Sequence, residues 1–221
     1  MDPVDLLDLR CLDGHFSSLE WLILDIFEES EDERRQIGAG QEVIDLVAMK
    51  SRKLRELGIT LHAPGLALSA VKAGKEVTYP PVLESIIRCT ELRVLCLGDW
   101  PLAPTDLFKC DAPVLQDSVE VDELYKARYF ALMDKYATML LRHITEVRKG
   151  AGLPKFAMLC FSSDWVLEEG SDRMLEVTGH CYVSGMEIDV YGQARVRAIR
   201  MTKKEVSYVE GDDNLYQRYY Q

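Results

Sequence analysis

Six cysteines and four histidines carry most of this chain's capacity for nucleophilic or metal chemistry. Cys11, Cys89, Cys96, Cys110, Cys160 and Cys181 stand apart, with no CxxC pair among them. His180 and Cys181 are adjacent, but neighbouring residues on a strand or helix point in different directions, so the dipeptide is a poor chelator. Cys160 and His62 form the one nucleophile–base pairing that residue type would allow on neighbouring strand ends. No motif frames them: GxSxG, HExxH, GxxxxGK[ST] and GxGxxG are all missing. Gly38-Ala39-Gly40 and Gly150-Ala151-Gly152 each flank a helical pattern and fit capping better than phosphate binding. His15, His62, His143 and His180 are expected in surface or helix-end roles. These residues predict no catalytic group, no metal and no cofactor, and scattered thiols in apolar settings fit reduced cysteines of an intracellular protein.

The charge balance narrows the partners. A net charge of -11 and a pI near 4.9 repel nucleic-acid phosphates and anionic membranes and favour a protein with a basic patch. The run Glu28-Glu29-Ser30-Glu31-Asp32-Glu33 belongs to a solvated loop or a fraying helix start. The acidic start Met1-Asp2-Pro3-Val4-Asp5 is unlike a secretory leader. No apolar run approaches the roughly 18 to 20 residues that span a bilayer. Cytoplasm or nucleus is the expected compartment.

The elements that would position any site are set by a recurring frame, in which an apolar residue and two variable ones precede apolar-variable-apolar. Leu92-Arg93-Val94-Leu95-Cys96-Leu97 shows it most clearly. Leu19 to Leu24, Leu54 to Ile59 and Phe156 to Phe161 repeat it, and Gly185 to Val190 is a degenerate fifth copy. Helical periodicity precedes several copies: Val43, Ile44, Val47 and Ala48; Leu83, Ile86 and Ile87 after Pro80-Pro81; and Leu132, Tyr136, Leu140, Ile144 and Val147 in a long helix from about Asp122 to Lys149. Residues 100–121 read as an insertion, and Asp172 to Val183 as a further helix. This alternation predicts an α/β fold, a stacked solenoid whose sheet holds about five parallel strands in sequential order with helices on the convex side. Residues 1–192 would form that domain and 193–221 a cap or tail supplying an edge strand or a hairpin.

Strand alternation then assigns the face turned away from the helices. Trp21, Ile23 and Asp25; Glu56 and Thr60; Val94 and Cys96; Met158 and Cys160; and Glu187, Asp189 and Tyr191 form columns on an open, concave face. They are the candidate partner-binding residues, with Trp21, Ile23, Val94 and Met158 as apolar anchors.

Leu83 to Leu97, a helix ending in Cys89 followed by x-x-Leu-x-x-Leu-x-Leu, resembles the cysteine-containing leucine-rich repeats of fungal F-box/leucine-rich-repeat proteins. Phe16 and Ser51 stand at the helix-end position in earlier copies, and Cys181 in the last. The resemblance implies a non-enzymatic protein-recognition module, a substrate-recognition domain of the F-box kind. No recognisable F-box precedes the first copy, so an adaptor of ubiquitin ligases is an expected partner only with an F-box upstream. The alternative from helix–strand alternation alone is an α/β enzyme on a doubly wound sheet, with a pocket at the strand C-termini and a reversal of strand order.

Overall fold

The computed structural model describes residues 14–25, 44–60, 79, 81–98, 119–161, 164–167, 174–177, 180–202 and 205. Four short strands run parallel and side by side: β1 (Trp21–Asp25), β2 (Glu56–Thr60), β3 (Val94–Gly98) and β4 (Met158–Phe161). Helical residues precede three of them: α1 (44–50), α2 (Pro81–Ile87) and α3 (Val119–Gly150). Two further strands form a separate hairpin, β5 (Asp164–Leu167) with β6 (Met174–Val177). β7 (His180–Ile188) and β8 (Ala194–Met201) complete a six-stranded sheet of order β1-β2-β3-β4-β7-β8.

The repeat is visible in the backbone. Leu22, Leu57, Leu95 and Leu159 lie in one register row. The N–H groups of Leu19, Leu54 and Leu92 donate to the carbonyls of Phe16, Ser51 and Cys89 at 3.2 to 3.3 Å. The carbonyls of Glu20, Arg55 and Arg93 each accept two N–H groups from the start of the following strand. Phe16, Ser51 and Cys89 are all buried. Burial pushes the Cys89 thiol up to about 11, with Arg148 pulling the other way, so it packs as a small neutral side chain.

A five-stranded parallel solenoid does not form. The expected fifth strand, Met186 to Tyr191, falls within and beyond β7, which pairs antiparallel with β4. The helix expected over 172–183 is absent from its described part, where Met174–Val177 and His180 onward are strands. The physical cause is the connection. A parallel return needs a crossover, usually helical, but the residues between β4 and β7 include the β5–β6 hairpin, where Trp165, Val166 and Val177 favour extended backbone. The chain therefore returns antiparallel.

The main core joins the helices to one face of the sheet. Ile44, Val47, Leu83, Ile86, Ile87, Tyr136, Leu140 and Ile144 pack with Leu24, Leu57, Leu95, Leu159 and Tyr182. α3 ends in a Schellman arrangement: Leu153 N–H donates to Arg148 O, Gly152 N–H donates to Lys149 O, and Gly152 takes φ +65. The last turn also places Arg148, 1% exposed, among backbone carbonyls. Its guanidinium donates to Ile87 O, Cys89 O and Pro154 O at 2.9 Å and to Thr90 O at 3.2 Å. Desolvation is the main influence on this side chain and lowers its pKa. Nearby, His143 pairs with Glu84 of α2 and stacks on Tyr79, ring centroids 3.7 Å apart.

Replacing Arg148 by Met would strip four carbonyls of a donor, those of Ile87 and Cys89 in a buried setting and those of Thr90 and Pro154 in a partly buried one. The expected loss is about 3 to 5 kcal/mol in urea unfolding. Arg148→Lys should recover only part of it, because an ammonium cannot reproduce the planar fork. A loss under about 1 kcal/mol for Arg148→Met would show that water replaces these contacts.

Candidate functional site

The register brings the expected columns together as rows across the sheet. One row runs Trp21, Glu56, Val94, Met158, Val183, Ile199; the next runs Ile23, Gly58, Cys96, Cys160, Cys181, Met201. Asp25, Thr60 and Gly98 align in a third; the side chains of Asp25 and Thr60 lie outside the described residues. This face is not open along its length. Val94, Cys96, Met158 and Cys160 are buried to within a few per cent and form a second apolar cluster with Cys181, flanked by Ala157 and Met201. They cannot serve as anchors on a concave surface. Apolar side chains at these positions are what a sheet covered on both faces requires. Exposure returns at the flanks, with Trp21 at 50% and Ile199 at 51%.

Glu187, Asp189 and Tyr191 belong to the β7–β8 hairpin, away from the columns of β1 to β4. Asp189 builds the turn. Its Oδ1 accepts the N–H groups of Tyr191 and Gln193, its Oδ2 holds Arg195 Nε at 2.8 Å, and Gly192 takes φ +79. The hydrogen bond from Gln193 is the largest influence holding its carboxyl below the usual range. Glu187 accepts Arg142 Nη2 of α3 at 2.7 Å. Both acids therefore have structural work inside the chain, and Tyr191 alone of the three projects outward, 83% exposed.

The frame assigns Ile188 and Val190 to the core side, and the structure reverses this. Met186, Ile188 and Val190 are 68%, 77% and 94% exposed. Their alternation with Glu187 and Asp189 is the available signal, but a period of two does not say which face is wet. Alternation puts Met186 and Ile188 on the face shared with Tyr182, where Tyr182, Ala198 and, in part, Val196 pack into the main core.

α3 also guards the outer edge of β8. Thr138 Oγ1 accepts the Ala198 N–H at 3.0 Å, and Arg142 Nε donates to Val196 O at 2.6 Å. Further along, Asp134 Oδ1 accepts Tyr182 Oη at 3.0 Å and both Nε and Nη2 of Arg200, whose guanidinium lies 4.5 Å from the Phe130 ring centroid. His180 sits edge-on to Phe130 beside this network, buried in a strand, not at the surface or a helix end. His62, the base that residue type would pair with the Cys160 nucleophile, lies outside the described residues.

The strand order shows no reversal among the described strands, the feature on which a doubly wound pocket depends. No helix among the described residues is long and apolar enough to cross a membrane. No protein-family profile, curated protein or solved structure matches the chain.

Burial, then the charge of Arg200, lowers the His180 pKa to about 4, with Asp134 opposing. The unfolded chain takes up this proton near pH 6.5 and the folded one does not. Stability is thus complete above pH 6.5 and falls as pH drops towards 4, by about 3 kcal/mol from this group. His180→Phe should flatten that part of a urea-midpoint pH profile. An unchanged slope between pH 6.5 and 4 would assign the loss to other groups.

Proposed function

We propose that this protein is a non-enzymatic recognition module that binds another protein through the distal half of the β7–β8 hairpin. The supporting observation is the exposure there of Met186, Ile188, Val190 and Tyr191 on a segment whose backbone is firmly held. Solitary exposed apolar residues are ordinary, but a contiguous group marks a contact surface. Met adapts to irregular pockets and Tyr is enriched in interfaces. The Asp189 turn and the α3 contacts to β8 pre-order the hairpin, so little conformational entropy remains to be lost on binding. The fitting partner presents an apolar cleft within a basic surface, which the net charge of -11 would attract.

Trp21 and Ile23 keep a place in this reading as a second contact. Trp21 and Ile23 lie in the register rows of Val183 and Cys181, whereas Met186 and Ile188 lie on the opposite face of β7, four strand spacings from β1, roughly 19 Å. One small partner domain would engage one of them.

A photo-crosslinking residue replacing Tyr191 should yield discrete adducts in cells, and the same residue at exposed Lys149 should not. Met186→Asp with Ile188→Asp should remove those adducts while shifting the melting temperature by no more than about 2 °C, as befits exposed positions. Equal adducts from Lys149, or adducts that survive the double substitution, would overturn the proposal.

A further inference from the structure

The second apolar cluster contains a row of sulfur atoms that the recognition reading does not use. Cys96 on β3, Cys160 on β4, Cys181 on β7 and Met201 on β8 are successive register partners. The three cysteines are buried thiols. Cys181 Sγ lies 2.8 Å from Cys160 Sγ, donating to it. Two thiols facing each other across an antiparallel pair have the Cα separation that a disulfide needs, about 4.5 to 5.5 Å. The sulfurs need approach by only about 0.8 Å to reach bonding distance. A straight row across parallel and antiparallel strands does not gather around one ion, and among the described residues no group of three or more such ligands does so.

We infer that Cys160 and Cys181 are an oxidation site, converted by hydrogen peroxide into an intrachain cross-strand disulfide. Cys160 is the attacking sulfur, since it accepts the Cys181 S–H and stands between two other thiols. Its thiol sulfur attacks one peroxide oxygen; the O–O bond breaks, and the leaving hydroxide takes the Cys160 S–H proton to become water. The Cys181 sulfur then attacks the sulfenic sulfur of Cys160. The S–O bond breaks, and a second water leaves with the Cys181 proton. Two thiols lose two electrons, and the peroxide gains them. The new bond joins β4 to β7, the strands at which the sheet changes from parallel to antiparallel.

The test uses the full chain, reduced, treated with hydrogen peroxide, blocked with N-ethylmaleimide and digested with trypsin without reduction. Arg173 lies between the two cysteines, and Lys109 separates both from Cys96, so each thiol falls in its own peptide. The expected product joins the Cys160 and Cys181 peptides, lighter than their sum by two hydrogens. It should persist in Cys96→Ala and vanish in Cys181→Ala. The oxidised chain should melt about 5 to 10 °C higher than the reduced one, reversibly with dithiothreitol. Mapping of the unsubstituted protein decides the matter even if a variant folds poorly. Cys160 joined instead to Cys96, or both thiols recovered as maleimide adducts or sulfinic acids, would overturn the assignment.

Discussion

A buried guanidinium holds the joints of this fold. Arg148 sits at the end of the long helix α3 and binds carbonyls on both sides of it: Ile87, Cys89 and Thr90 from the turn leading into β3, and Pro154 from the turn leading into β4. β3 and β4 are register neighbours, so one side chain ties together the two entry turns of adjacent strands. The Ile87 carbonyl at the end of α2 takes its side-chain donor from Arg148 beside an apolar core. The fork geometry of Arg suits several carbonyls at once, and its charge is tolerated because four of its five N–H groups have carbonyl acceptors.

From that joint, α3 reaches back to the other end of the sheet. Asp134, Thr138 and Arg142 recur at helical spacing, and each binds the C-terminal hairpin: Asp134 takes Tyr182 and Arg200, Thr138 takes the Ala198 N–H, and Arg142 takes Val196 O and Glu187. Polar residues along one helix stripe thus occupy an edge strand's backbone groups, a recognised way to prevent unwanted strand pairing. The same stripe leaves the distal hairpin uncovered. Met186, Ile188, Val190 and Tyr191 remain exposed on that part of the hairpin.

The parts legible in the sequence are those governed by local periodicity. The apolar stripe Tyr136, Leu140 and Ile144 is buried, as are Leu83, Ile86 and Ile87; the α3 stop at Gly150 and Gly152 has its left-handed glycine. The recurrent frame places Leu22, Leu57, Leu95 and Leu159 in one row. What is not legible depends on distant neighbours. Alternation makes Val94 and Met158 a binding surface, yet they are as buried as the leucines beside them. It separates two faces of a strand but is silent on whether the second is covered. Glu187 and Asp189 look like partner contacts because acids are normally wet; their partners Arg142 and Arg195 become neighbours only after the hairpin closes.

The leucine frame of β1 to β4, the apolar stripe of α3 and its glycine stop were determined by the sequence alone, since each rests on backbone preferences within a few residues. Strand direction after β4, the burial of the sulfur row and the exposure of Met186 and Ile188 were decided only by tertiary structure. Each depends on which surface another segment comes to cover, and burial is a property of contacts between distant parts of the chain.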